Sequence, residues 1–217
     1  MGAMPLQPTA TRLWKSLPPE ERLAAATAFF AQPPPELAGT ALGALVKARH
    51  LRPQAARSLA PDAQARILAT VLDPGEPLCQ GLLVSLHLGH RRALLGAFLD
   101  ALSLPHEDGV LKEEADAAAP VTPAKAKAAV GALASYPAGE VRTYLNTLWL
   151  QDPERWGALE GADDWLPTGA ERGRARPRLS PGGAGPREGR RPRGGRARSA
   201  RRGTRRPASS PRRRRAR

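Results

Sequence analysis

The chain has 217 residues, with 34 Lys and Arg against 20 Asp and Glu, a formal charge of +14 and a sequence pI near 11.3; taken whole, that balance points to a nucleic-acid binder. Aromatic residues are 4% of the chain and Cys79 is its one cysteine, which excludes a disulfide scaffold or a Cys-based zinc module built within one chain. No apolar run reaches the length of a membrane-spanning helix, and Met1 to Gln7 has neither the basic nor the apolar region of a signal peptide, so a cytoplasmic protein with no membrane partner is expected.

The charge is unevenly placed. Residues 1–166 hold 15 basic and 18 acidic side chains, a net of −3, whereas residues 167–217 hold 19 Arg and 2 Glu, a net of +17. We therefore expect a flexible N-terminus over 1–10, a folded domain over 11–166 and a disordered tail over 167–217. The domain contains 33 Ala and 28 Leu but only 8 Val and Ile, and it shows no period-two alternation. Leu and Ala favour helices and β-branched residues favour strands, so an all-α fold is expected, without strands.

Ser16-Leu17-Pro18-Pro19-Glu20-Glu21 has the form of a helix start, with acids at the positive end of the dipole. Leu23, Ala26, Thr27 and Phe30 follow on one helical face. Pro33-Pro34-Pro35 ends that helix and opens another over 35–49, with Leu37, Ala41, Ala44, Leu45 and Ala48 on one side. Arg52-Pro53 starts a short helix to about 59, and Pro61-Asp62 starts one to about Leu72 with Ala65, Leu68 and Leu72 aligned. Asp73-Pro74-Gly75 is a turn. The most apolar stretch, 76–103, reads as two packed helices divided near Gly89, the first of them central because its apolar residues occupy most faces.

Pro105 to Gly109 reads as a connection, followed by an acidic segment, Lys112 to Asp116, compatible with a helix. Thr122-Pro123 is a cap and first turn for a helix to about Ser135. Another runs from about Pro137 to Leu150 with Val141, Tyr144, Leu145 and Leu148 inward, and Pro153 opens a last short helix with Trp156. The sum is an irregular bundle of eight or nine short helices. The alternative is a short HEAT- or armadillo-like solenoid. Ser16-Leu17-Pro18-Pro19-Glu20, Ser58-Leu59-Ala60-Pro61-Asp62 and Ser103-Leu104-Pro105-His106-Glu107 start 42 and 45 residues apart, within the about 40–47 of those repeats. Ser135-Tyr136-Pro137, only 32 residues further on, breaks the period.

Candidate chemistry is sparse. His87 and His90 lie three apart, a spacing that metal sites use, and His106-Glu107-Asp108 offers further ligands or acid/base groups. Gly89 between the pair and Arg91-Arg92 after it favour a basic helix face instead, and acids after a proline are ordinary at a helix start. Cys79 and Ser85 have no nucleophile arrangement around them. No cofactor and no enzymatic activity are expected. Trp156 and Trp165 are candidates for a recognition surface, with the pinning of the last helix as the structural alternative.

In the tail, 42 of the 51 residues are Arg, Gly, Ala or Pro, and Leu179 is its one large apolar side chain. Too little apolar surface is available to offset about 1–2 kcal/mol of backbone entropy per residue. Arg190, Arg191, Arg193, Arg196 and Arg212, Arg213, Arg214, Arg215 are candidates for nonspecific, salt-dependent binding of DNA or RNA through phosphates. The same four residue types are those of GC-rich codon boxes, so an unselected or frameshifted extension in a GC-rich bacterial gene explains them equally well. A third reading folds the tail over the acidic segments Glu107-Asp108 and Glu113-Glu114-Asp116. The functional expectation is a helical protein-interaction or scaffold module, the alternative a nonspecific nucleic-acid binder.

Overall fold

The computed structural model of the chain describes residues 8–112 and 121–166. The chain divides into two units, 1–176 and 177–217, and every described residue lies in the first. The candidate arginines of the tail and the acidic residues Glu113, Glu114 and Asp116 lie outside the described residues.

The described chain is all-α apart from one small hairpin. It forms ten α-helices: α1 (Ala10–Ser16), α2 (Pro19–Ala31), α3 (Pro35–Arg49), α4 (Pro53–Arg57), α5 (Pro61–Thr70), α6 (Glu76–His90), α7 (Arg92–Ala101), α8 (Pro123–Ala132), α9 (Ala138–Gln151) and α10 (Pro153–Trp156). Six of these begin on a proline: Pro19, Pro35, Pro53, Pro61, Pro123 and Pro153. A proline has no N–H to lose at the first helical position and its φ is already helical, which is why these starts are legible in the sequence. Thr122 caps α8 by accepting from the Lys125 N–H at 3.4 Å. His50 ends α3 in the left-handed region at φ 51°.

Two apolar cores result. The first gathers α1 to α6 around Trp14, Phe29, Leu45, Leu68, Leu82 and Leu83. The second gathers α7 to α10 around Leu94, Phe98, Leu133, Tyr144, Leu145 and Trp156. Helix α6 joins them: it packs on α1, α2 and α3 on one side and on α9 on the other. Arg91, at the break between α6 and α7, reaches back to both halves, to Glu21 of α2 at 2.7 Å and to Glu140 of α9 at 3.6 Å. In the first half α2 packs on both α5 and α6, and α1 skips to α6. These packings join helices far apart in sequence, so the arrangement is an irregular bundle. The third of the repeated elements, Ser103-Leu104-Pro105-His106-Glu107, leads into a strand at His106 and not into a helix, which removes the structural basis of the repeat.

Several local expectations are corrected. Helix α1, which had no counterpart among the expected helices, opens the described fold: Thr9 caps it, and Glu76 of α6 accepts from the backbone N–H of Ala10 and, at 2.9 Å, of Thr11. Burial pushes the Glu76 pKa up, but the hydrogen bonds from Thr11 and Ala10 outweigh it and hold the carboxyl below its ordinary value. The Trp14 indole N–H donates to the Val71 carbonyl at 2.8 Å, fixing α1 to the end of α5. Ser16 is not the cap of α2; its hydroxyl donates to the Leu13 carbonyl, inside α1. Helix α2 buries Ala25, Ala26 and Phe29 and leaves Leu23 39% exposed, because the stripe facing α5 and α6 is rotated one position from the expected one. Helix α5 stops at Thr70, so Leu72 lies beyond the helix, largely exposed.

Gly89 does not divide the 76–103 stretch. Helix α6 runs through it to His90, and a Cβ there would sit 2.8 Å from the Ala28 Cβ of α2. The glycine allows two helices to approach closely, and the chain breaks two residues later at Arg91 (φ −130°). Nor does Pro105 to Gly109 form a plain connection. His106–Glu107 (β1) pairs antiparallel with Val110–Leu111 (β2), His106 opposite Leu111 and Glu107 opposite Val110. The two-residue loop, Asp108 (φ 50°) and Gly109 (φ 81°), has positive φ at both positions, as a type I′ turn requires.

Gly109 is also pressed against α7: an added Cβ would lie 2.7 Å from the Leu95 Cβ and 3.1 Å from the Arg92 carbonyl oxygen. Gly109→Ala therefore adds backbone strain to a clash with atoms that cannot swing away. We expect a stability loss of about 2 kcal/mol, read by urea unfolding. Glu107→Ala, at an exposed strand position of the same hairpin, should change stability by less than about 0.5 kcal/mol.

Candidate binding cavity beneath the hairpin

The hairpin lies over α7 and covers a partly open cavity of about 210 Å³. Its wall is formed by Val84, His87 and Leu88 of α6, Leu95 and Leu99 of α7, Gly109 to Leu111 of the hairpin, and Tyr144, Thr147, Leu148 and Gln151 of α9. Each helix contributes residues one turn apart, so the apolar stripes that build the second core also line the cavity.

Besides Tyr144, two polar side chains in this wall are buried. His87 is 2% exposed, as is Thr147. The imidazole Nε2 lies 3.3 Å from the Thr147 hydroxyl oxygen, and that hydroxyl donates its one proton to the Thr143 carbonyl at 2.7 Å. Thr147 can therefore only accept from His87, so Nε2 carries the imidazole proton and Nδ1 is a bare acceptor. Nδ1 is buried and has no hydrogen-bond partner. Burial, reinforced by the charge of Arg91, pushes the His87 pKa down to about 3, which keeps the ring neutral. Tyr144 stands beside it, ring centroids 5.3 Å apart and inclined at 61°, with its own pKa raised by burial. On its other side Tyr144 meets Phe98 edge-on at 5.6 Å.

The other sequence candidates are placed elsewhere. His90 is exposed at the end of α6 while His87 points into the fold, so the pair does not act as a unit. His106 uses both ring nitrogens locally: Nε2 lies 3.0 Å from Asp100 and Nδ1 accepts from the Gly109 N–H at 3.3 Å, which ties the hairpin to α7. Asp108 pairs with Arg92 of α7, and Glu107 is exposed. Among the described residues no three His, Cys, Asp or Glu side chains are grouped to hold a metal ion. Cys79 is buried in the first core, where burial pushes its thiol up to about 11. Trp156 is 3% exposed in the second core and Trp165 packs against that core half-buried, which is the pinning role. Arg91, expected on a basic helix face, is 7% exposed and paired, while Arg92 is at the surface.

The three-residue spacing singled out His87 together with His90, which the structure places apart, and gave no signal for Thr147. Thr147 does share a face with Val141, Tyr144 and Leu148, and a hydroxyl within an inward stripe is the signal that was available. Comparison with protein-family models, with curated proteins and with solved structures finds no match to this chain. No helix among the described residues is long and apolar enough to cross a membrane.

Proposed function

We propose that the helical domain is a non-enzymatic binding module, and that the cavity beneath the hairpin is where it receives an apolar guest. One observation carries the reading: apolar side chains from three helices and a hairpin line one partly open cavity, with the buried His87 and Thr147 side chains in its wall. A small apolar cavity with a few convergent polar groups is the usual form of a ligand site. The groups that catalysis would draw on are engaged in the fold, His106 with Asp100 and Gly109, Asp108 with Arg92, and Cys79 in the first core. The reading keeps the non-enzymatic class expected from the sequence, and with it the cytoplasmic location.

The guest is small. A cavity near 150 Å³ is enough for benzene, and this one measures about 210 Å³. Toluene at about ten times its Kd should raise the Tm of the full chain by about 3–6 °C. An unchanged Tm at toluene saturation in water would end the proposal.

The second reading, nonspecific nucleic-acid binding, gains support from one feature of the folded unit. Lys47, Arg49, Arg52 and Arg57 are exposed along the end of α3 and α4, without an acidic residue between Glu36 and Asp62. They would add a cationic edge to the 19 arginines of residues 167–217. DNA binding should fall steeply between about 50 and 200 mM salt and be lost on deletion of 167–217. Equal binding by the truncated chain would exclude the tail as the binding element.

A further inference from the structure

We infer that the first half of the domain carries a second binding site, a groove bounded by α2, α3, α4 and α5, which takes a small apolar carboxylic acid with Arg57 as the partner of its charge. The site is separate from the cavity beneath the hairpin and does not depend on it.

The groove has a volume of about 270 Å³. Phe29 and Phe30 of α2, Pro33 of the following turn, and Leu42 and Leu45 of α3 give it an apolar lining. Phe29 and Leu45 are fully buried members of the first core, so the floor is fixed by the packing that holds this half together. Ala38 and Gly39 in the same wall are small and exposed, which leaves the groove open to solvent. Benzene needs about 150 Å³, so a ring with one short substituent fits.

Two side chains of the wall are polar, those of Arg57 and Gln64. Gln64 donates from its amide nitrogen to the Ala56 carbonyl at 3.1 Å, which ties α5 to the residue before Arg57 and fixes where the arginine springs from. Arg57 itself is exposed and makes no hydrogen bond or ion pair among the described residues. A guanidinium that nothing holds can turn toward a group seated in the groove, and its planar fork matches a carboxylate. The neighbouring charge has the same sign. Lys47, Arg49 and Arg52 are exposed on α3 and at the start of α4, and no acidic residue occurs between Glu36 and Asp62. Those two acids stand in the first turns of α3 and α5 and do not belong to the wall.

Main-chain carbonyls compete with this preference. Helix α2 ends at Ala31, so the carbonyl oxygens of Phe29 and Phe30 belong to its last turn, where intrahelical donors run out. A helix end of this kind carries about half a negative charge, against the full positive charge of Arg57. The arginine therefore sets the sign of the guest. A ring bearing an ammonium would be repelled by it, and a neutral ring would leave it unpaired. A carboxylate on an apolar body answers both the charge and the lining.

Benzoate, benzamide and benzylamine have nearly the same shape and differ in charge. Each is titrated into the full chain at about 50 mM salt, where surface charge is little screened. The methyl resonances of Leu42 and Leu45 report the groove and not the arginines of residues 167–217. Benzoate should bind about tenfold more tightly than benzamide, and benzylamine should shift neither methyl. In Arg57→Gln, a change at an exposed position without partners, benzoate should fall to the level of benzamide. Arg66→Gln, exposed on α5 outside the wall, should leave the preference intact. Toluene binding beneath the hairpin, read at the Val84 and Leu99 methyls, should not respond to Arg57→Gln, so the two sites are tested apart. Equal affinity for benzoate and benzamide, a preference that survives Arg57→Gln, or tighter binding of benzylamine overturns the inference. So does the absence of any shift at Leu42 and Leu45 with all three probes.

Discussion

Phe98→Ala should destabilise the domain by about 3–5 kcal/mol, the range for removing a fully buried aromatic ring. Phe98 is 0% exposed on α7 within the second core, edge-on to Tyr144 at 5.6 Å and tilted against Trp156 at 6.1 Å. The loss has two parts. One is the apolar area returned to water and the space left behind; the other is the ring-to-ring geometry, worth about 0.5–1.5 kcal/mol beyond area. Phe98→Leu keeps most of the first and removes the second, so it should cost markedly less than the alanine. Urea unfolding of both variants measures the difference. The same substitution should also weaken toluene binding, because Tyr144 is held against the cavity by Phe98 on one side and His87 on the other. Full retention of stability in Phe98→Ala would mean that the second core does not pack around this ring.

The second large effect is on pH dependence. His87 is neutral and buried, with a pKa pushed down to about 3 from an ordinary value of 6.5, first by burial and then by Arg91. In the unfolded chain the ring takes up a proton as pH falls below 6.5, whereas the folded chain resists until about 3. The unfolded state therefore binds more protons throughout that window, and stability falls as pH falls. The limiting slope is about 1.4 kcal/mol per pH unit. Between pH 7 and pH 5 this one group should remove about 2 kcal/mol, with no contribution above neutrality. His87→Gln retains a hydrogen-bonding side chain without a titrating ring, so its stability should lack that loss. Glu76, with its lowered pKa, acts at lower pH: its stabilising contribution is present above the ordinary carboxylate range and is lost as pH falls through its folded value. The difference between the wild-type and His87→Gln profiles isolates the imidazole. Parallel profiles from pH 7 to pH 5 would show that His87 is not held neutral.

Helix content and most helix boundaries were legible from composition and from proline. Leu and Ala without β-branched runs specify helices, and a proline marks a first turn by what its ring forbids anywhere else. Ranges such as Pro35–Arg49 and Ala138–Gln151 follow from these local rules. The Asp108-Gly109 pair also carried a legible signal, since Asp-Gly is a strong two-residue hairpin loop, and it was hidden only because its strands are two residues each.

Local chemistry thus specifies the kind of element and where most of them begin, together with a charge that divides into −3 for residues 1–166 and +17 for residues 167–217. Long-range packing decided which stripe of each helix faces inward, as the rotation of α2 onto Ala25, Ala26 and Phe29 shows. It likewise decided that Gly89 is a point of close approach, that Arg91 ties two cores together, and that His87 meets Thr147 across 60 positions of chain. The reason is physical. Propensity and capping act within a few residues, while burial and the pairing of a buried donor with its acceptor depend on which helices come to lie side by side.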